Sequence, residues 1–243
     1  MSSNIPFTSE NMDMYLKELA KKYKKLSGKG MPAEIILIGG AAILANYGFR
    51  ESTYDMDALI DASSAMDDVI NSVGDEFGLP NGWLNADFVK TKSYTPKLRQ
   101  YSVHYKEFSR ILEIRTVQAE YLVAMKMVSA RQYKNDLSDI IGIVAEHQKR
   151  EKPLTFEMIE RAMMNLYGSW DLVTPDTIEL VKSVIDRPDA GVLYETYREQ
   201  EMEAKDLLID FEQKYPKVVN ENNLAAIIAQ AKKKKAQQIE DAT

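Results

Sequence analysis

The most restrictive stretch in the chain is a short apolar run that ends in two glycines and is soon followed by two aspartates one residue apart. Residues 33–38 (AEIILI) are β-branched and apolar, which suits a buried strand. Gly39-Gly40 follow at once, residues 41–47 have helix-forming character, and Gly48 closes that turn. Residues 55–61 then alternate, with Met56, Ala58 and Ile60 on one side and Asp55, Asp57, Leu59 and Asp61 on the other. This predicts a second strand carrying Asp55 and Asp57 on one face. Two carboxylates held so close repel each other unless a cation sits between them. The pattern is a glycine turn beside paired acids, and two readings compete for it. One is a phosphate cradle facing a metal site; the other is a tight turn beside a salt-bridged strand edge.

The rest of the chain frames that stretch. Residues 8–26 predict an amphipathic helix opened by capping residues and ended by Gly28 and Gly30. A helix is expected over 64–77, and the glycine-, proline- and asparagine-rich residues 78–100 read as an ordered loop region. Residues 101–104 and 110–115 supply two further strands. Strand signals then nearly vanish. Helices are expected at 118–133, 136–149, 155–167, 175–186, 190–214 and 221–238, with fraying in the lysine-rich end from residue 231. The expected fold class is α+β: a small mixed-sheet module with flanking helices over residues 1–150, and a helical domain over 151–243.

Composition excludes several functions. The chain has 243 residues, no cysteine and two distant histidines, His104 and His147, so thiolate and zinc sites are not expected. The absence of cysteine fits a reducing cytoplasm. No apolar run approaches the ~20 residues of a membrane helix, and no signal-peptide pattern opens the chain. A net charge of −6 argues against a protein that coats nucleic acid without specificity. Lysine-rich clusters at 21–25, 90–99 and 232–235 are either solvated faces or local patches for RNA or triphosphate.

Glycine lets backbone approach a phosphate, and a helix starting there points N–H groups at it. No GxGxxG or GKS/T pattern is present, so the Rossmann and P-loop readings fail. Two carboxylates at i and i+2 of a strand suit Mg²⁺, which takes hard oxygen ligands and bridges them to substrate phosphates.

The order strand, Gly-Gly, helix, Asp-x-Asp resembles the nucleotidyltransferase superfamily, whose fold is that of DNA polymerase beta. A second match lies in AEYLVAMKMVSARQYKNDLSDI, residues 119–140. It resembles the motif Lys…Arg-x-x-Lys-x-Asp-hydrophobic-x-Asp of bacterial AbiE-type toxins and related nucleotidyltransferase-like proteins. The resemblance implies a nucleoside triphosphate held by Gly39 and Gly40, with Asp55 and Asp57 ligating Mg²⁺ and Thr53 bonding the same ligand. Lys126, Arg131, Lys134, Asp136 and Asp139 take the second motif's positions and would serve nucleotide binding. Their alternatives are a snorkelling lysine at 126, an internal ion pair at Arg131, and cap or first-turn roles for Asp136 and Asp139.

The family also has a third carboxylate on a later strand, and Glu113 is the first candidate, with Asp87 the weaker one. Glu113 reads equally as a strand glutamate paired with Arg115 or Arg110. The implied reaction moves a nucleotidyl group to an acceptor hydroxyl on RNA, tRNA included, or on protein. The implied setting is a bacterial toxin–antitoxin or abortive-infection module with an antitoxin partner. A nucleotide-binding module without transfer and an Asp-x-Asp glycosyltransferase are the alternatives.

Overall fold

The computed structural model describes residues 6–28, 30–220 and 223–240, and it is an α+β molecule. The helices are α1 (Ser9–Ser27), α2 (Gly39–Asn46), α3 (Ala65–Phe77), α4 (Ala119–Ser129), α5 (Asp136–Lys149), α6 (Phe156–Tyr167), α7 (Pro175–Asp186), α8 (Gly191–Lys214) and α9 (Leu224–Glu240). The strands are β1 (Ala33–Leu37), β2 (Met56–Asp61), β3 (Leu84–Asn85), β4 (Ser102–Phe108) and β5 (Leu112–Val117). They form one mixed sheet in the order β3-β2-β1-β5-β4. β1 runs antiparallel to β2 and parallel to β5, β2 runs parallel to β3, and β4 runs antiparallel to β5. Among the described residues there is no larger parallel sheet of the kind the glycosyltransferase reading expects.

The chain divides into two compact units that interleave along the sequence. The first comprises Met1–Val128 and Leu154–Leu172, and the second comprises Ser129–Pro153 and Val173–Thr243. The expected division instead set one boundary after residue 150. In the first unit, α6 is tied to neighbours that precede it by many residues. Asn165 Nδ2 donates to the Tyr121 hydroxyl at 2.8 Å, and the Tyr167 hydroxyl donates to the Ser93 carbonyl at 2.7 Å.

β1 is the centre of this unit because its residues are apolar on both sides: Ile35, Ile36, Leu37 and Ile38 are fully buried. Helix α1, entered through a Thr8/Asn11 capping box, packs against β4, and α3, ended by Gly78 in the left-handed conformation, packs against α1. Phe7, Tyr15 and Trp83 pack as an aromatic cluster, and Trp83 Nε1 donates to the Ile70 carbonyl at 2.9 Å. In the second unit, α8 packs against α5 and α9. Ala204, Leu208 and Ile228 form a small core there with Tyr133, Leu224 and Ile227 packed against it.

The differences from sequence expectation are local. Helix α2 starts at Gly39 itself, and β2 begins at Met56 rather than Asp55. Helix α4 stops at Ser129, four residues early, because Ala130 leaves helical geometry with φ +40°. The region 78–100 contains β3 and the first of two 3-10 turns, Asp87–Lys90; the second runs over Pro96–Tyr101. Helix α9 runs through Glu240, two residues past its expected end. Residues 221, 222 and 241–243, and the side chains of Lys234 and Lys235, fall outside the described residues. Among the described residues no helix is long and apolar enough to cross a membrane.

Candidate functional site

The C-terminal end of β1 delivers the chain into α2 through a conformation that glycine favours. Gly39 has φ +55°, a region that costs an L-residue with a side chain roughly 1–2 kcal/mol. β2 lies antiparallel beside this end, and the Ile38 N–H donates to the Asp57 carbonyl at 2.8 Å. That bond sets Asp57 level with the glycines. A Cβ on Gly39 would stand 4.0 Å from Asp57 Oδ2, so the first turn of α2 and the Asp57 carboxylate face one another. Asp57 is half-buried and Asp55, just before the strand, is exposed.

The loop between α2 and β2 supplies the rest. Thr53 is held in a two-residue bridge to Phe7: the Phe7 N–H donates to the Thr53 carbonyl at 2.7 Å, and the Thr53 N–H donates to the Phe7 carbonyl at 2.9 Å. Its hydroxyl, 2% exposed as part of the residue, lies 3.2 Å from the Asp55 carbonyl and 3.3 Å from Asp55 Oδ1. Gly40 is glycine for a different reason from Gly39. A Cβ there would meet Thr53 Oγ1 at 2.6 Å and Arg50 Nη2 at 2.9 Å, so the missing side chain makes room for these two groups. Gly39, Gly40, Thr53, Asp55 and Asp57 therefore come together at one end of the sheet. Arg50 joins them, although nothing in the sequence pattern singles it out; its place five residues before Asp55 is the only cue.

Glu113 is not part of this group. On β5 it lies opposite Glu34 of β1, while the Gly39 end of β1 lies four residues further on. At the strand rise this separates Glu113 from the Asp57 level by about 13 Å along the sheet. Its surroundings are a charge ladder. Asp61, Glu34, Glu113 and Glu107 lie in one row across β2, β1, β5 and β4. Arg99 bridges Asp61 at 3.3 Å and Glu34 at 3.6 Å, and Arg115 bridges Glu34 at 3.6 Å and Glu113 at 2.7 Å. The hydrogen bond from Arg115 holds the Glu113 carboxyl below the usual carboxylate range. These acids line a separate cavity of about 590 Å³ with Arg110.

The residue that the register sets beside Asp57 is Asn85 of β3, two residues before Asp87. β3 is too short to show any periodicity, which is why the sequence conceals it. The Asn85 side chain closes a local turn: Oδ1 accepts the Asp87 N–H at 2.8 Å, and Nδ2 donates to the Gly82 carbonyl at 3.0 Å. Asp87 opens the 3-10 turn that packs against β2, and its carboxylate pairs with Lys90 at 2.6 Å. Among the described residues no three acidic or histidine side chains form a metal-binding group.

The second motif divides between the two units. Lys126, in the first, is buried on α4, a helix apolar all round. Arg131, Lys134, Asp136 and Asp139 belong to the second. Arg131 forks onto the fully buried Asp136, with Nε to Oδ2 at 2.8 Å and Nη2 to Oδ1 at 3.3 Å. Asp139 is fully buried in the first turn of α5, and Lys134 is exposed. Glu201 of α8, absent from the sequence expectations, seats its carboxylate on the start of α5. It accepts the Leu137 N–H at 2.8 Å, the Ser138 N–H at 3.3 Å and the Ser138 hydroxyl at 2.5 Å.

Most cations of the clusters at 21–25 and 90–99 are engaged within the protein. Lys21 pairs with Glu18, Lys22 with Glu76, and Lys24 donates to the Ser109 carbonyl. Lys97 donates to the Asn165 carbonyl.

No curated protein and no solved structure matches the chain. The family described as "Nucleotidyltransferase of unknown function (DUF6036)" matches residues 14–163, more than half of the sequence. The match contains both the glycine–aspartate stretch and the lysine-rich motif, and the chain belongs to this nucleotidyltransferase family.

Proposed function

We propose that the protein binds a nucleoside triphosphate with Mg²⁺ and transfers its nucleotidyl group to an acceptor hydroxyl. The observation that carries this reading is the first turn of α2, opened by Gly39-Gly40 and facing the Asp57 carboxylate. A helix N-terminus favours anions, and paired carboxylates favour a cation, so the two together suit a metal–polyphosphate.

The donor set fits Mg²⁺. Asp55 and Asp57 offer hard oxygen atoms and are accessible, whereas a dedicated protein cage is absent among the described residues. Such a site suits an ion that keeps waters and shares phosphate oxygens with its substrate. Asp55 and Asp57 would hold it, and when bound it would neutralise triphosphate charge. The α2 amides would orient the phosphate chain. The acceptor oxygen attacks the α-phosphorus, the bond to the β-phosphate breaks, and pyrophosphate leaves. In this reading Asp87 takes the acceptor proton in place of Glu113, because it opens the 3-10 turn that follows β3 and packs against β2. Lys126, Arg131, Lys134, Asp136 and Asp139 serve nucleotide binding by family resemblance, with Arg131 and Asp136 acting as a pair.

A second reading is nucleotide binding without transfer. It is favoured by Asn85, an amide engaged with backbone at the position that the register sets beside Asp57. Release of pyrophosphate on incubation with each triphosphate and an RNA or protein acceptor separates the two. Transfer predicts release that Asp57→Asn abolishes; pure binding predicts none. The setting that the family resemblance suggests is the toxin of a bacterial toxin–antitoxin or abortive-infection module. Growth arrest on expression in a bacterial host, relieved by Asp57→Asn, tests it.

A further inference from the structure

Helix α8 presents two stripes of side chains with different surroundings. Glu201, Ala204 and Leu208 are buried: Glu201 seats on α5, and Ala204 and Leu208 pack with Ile228 of α9. A second stripe lines an open groove of about 940 Å³ whose other wall is α9. Leu207 and Phe211 of α8, with Ile227 and Ala231 of α9, give that groove a half-buried apolar floor. Met202 and Tyr215 also line it and are exposed. Glu199, Glu203, Asp206 and Asp210 stand three or four residues apart and form one acidic row along the same groove. Glu203 is engaged within the protein. Glu199, Asp206 and Asp210 are exposed and make no ion pair among the described residues. Lys214, in the last turn of α8, is the cation that lines the groove; Lys232 and Lys233 follow Ala231 on α9 without lining it.

We propose that this groove docks an amphipathic helix of another protein, one whose apolar stripe is bordered by lysine or arginine. The inference does not depend on the nucleotide-binding reading. From Glu199 to Tyr215 the groove follows the chain for about 24 Å at the helical rise, longer than a small ligand spans. A helix laid along it meets apolar side chains throughout and an acidic residue at nearly every turn. Cations three or four residues apart on that helix match the spacing of the row. Exposed ion pairs add little affinity by themselves. Burial of Leu207, Phe211 and Ile227 supplies most of the attraction, while the acids select a basic helix and steer its approach. A second copy of this chain presenting the same face fits less well, because it sets one acidic row against another.

The test is fluorescence anisotropy with the full chain and two labelled helical peptides of about five turns. Both carry leucines at helical spacing; one has lysine at the remaining positions and the other has glutamate. They are titrated with wild type and with an Asp206→Lys, Asp210→Lys variant. A Glu160→Lys, Glu179→Lys variant makes the same change of net charge at exposed positions outside the groove. Wild type should bind the lysine peptide saturably and about tenfold or more tightly than the glutamate peptide, with affinity falling as salt rises. The groove variant should reverse that preference, whereas the outside variant should keep it. Circular dichroism checks that each variant folds. Should the groove variant fail to fold, Asp206→Asn, Asp210→Asn carries the test, with loss of the preference expected. Absence of lysine-peptide binding by wild type, or an equal change of preference in both charge variants, would overturn the proposal. Wild type sedimenting as a dimer that the groove variant dissociates would also overturn it, by giving the groove to a second copy.

Discussion

At the scale of single residues, two neighbouring glycines are required for different physical reasons. Gly39 is needed for its backbone, at φ +55°, and Gly40 for the volume that Thr53 and Arg50 occupy. Gly39→Ala should destabilise the protein by roughly 1–2 kcal/mol, read from the shift in urea midpoint at constant slope. The acidic residues divide in the same way. Asp57 belongs to the glycine end of the sheet, whereas Glu113 belongs to the row of carboxylates interleaved with Arg99 and Arg115. Glu113→Gln should leave Mg²⁺-dependent nucleotide binding unchanged in calorimetry. It should lower stability by less than about 1 kcal/mol, because its side chain is 41% exposed and solvent screens the pair with Arg115. The sequence could name Glu113 as a strand glutamate with an arginine partner, and that much is visible in RILEIR. It could not show which end of the sheet the residue occupies, since that depends on the parallel register of β5 against β1, two segments far apart in sequence.

At the scale of elements, legibility follows the strength of the local period. The long helices α5 to α8 fall close to their expected bounds, because apolar spacing marks them and Thr155 and Thr174 cap α6 and α7. β3 escaped because two residues have no period; the same short strand sets Asn85 beside Asp57. The seat of Glu201 on α5 escaped for another reason, being a contact between side chain and helix end across more than sixty residues. That seat makes the second unit sensitive to pH. Burial outweighs the hydrogen bonds from Leu137 and Ser138 and pushes the Glu201 carboxyl up to about 7. Its folded-state pKa lies above the ordinary carboxyl value, so the folded protein holds the proton more tightly than the unfolded chain. The stabilisation is complete below the ordinary range and is lost as pH rises towards about 7. The thermal midpoint should therefore fall as pH rises through this window, by at most about 1.4 kcal/mol of stability per pH unit. Glu201→Gln should flatten the profile, which thermal melts at matched ionic strength will show.

At the scale of the whole molecule, the glycine–aspartate stretch is carried by one compact unit, whereas the lysine-rich motif is divided between the two. The glycine–aspartate site and Lys126 are in the first, and the Arg131–Asp136 pair is in the second. The family model nonetheless spans both motifs, over residues 14–163. Fold class and the position of the glycine–aspartate site were readable because each rests on neighbours in sequence. The interleaving of the units was not, because α6 returns to the first unit through contacts such as Asn165 with Tyr121. The central claim is that the glycine turn and the paired aspartates form one metal–triphosphate site. Calorimetric titration of nucleoside triphosphate, with and without Mg²⁺, into wild type and the Asp55→Asn, Asp57→Asn double variant tests it most directly. Wild type should bind saturably in a manner that requires Mg²⁺, and the double variant should not bind. Binding of equal affinity in both proteins, or binding indifferent to Mg²⁺, would contradict it.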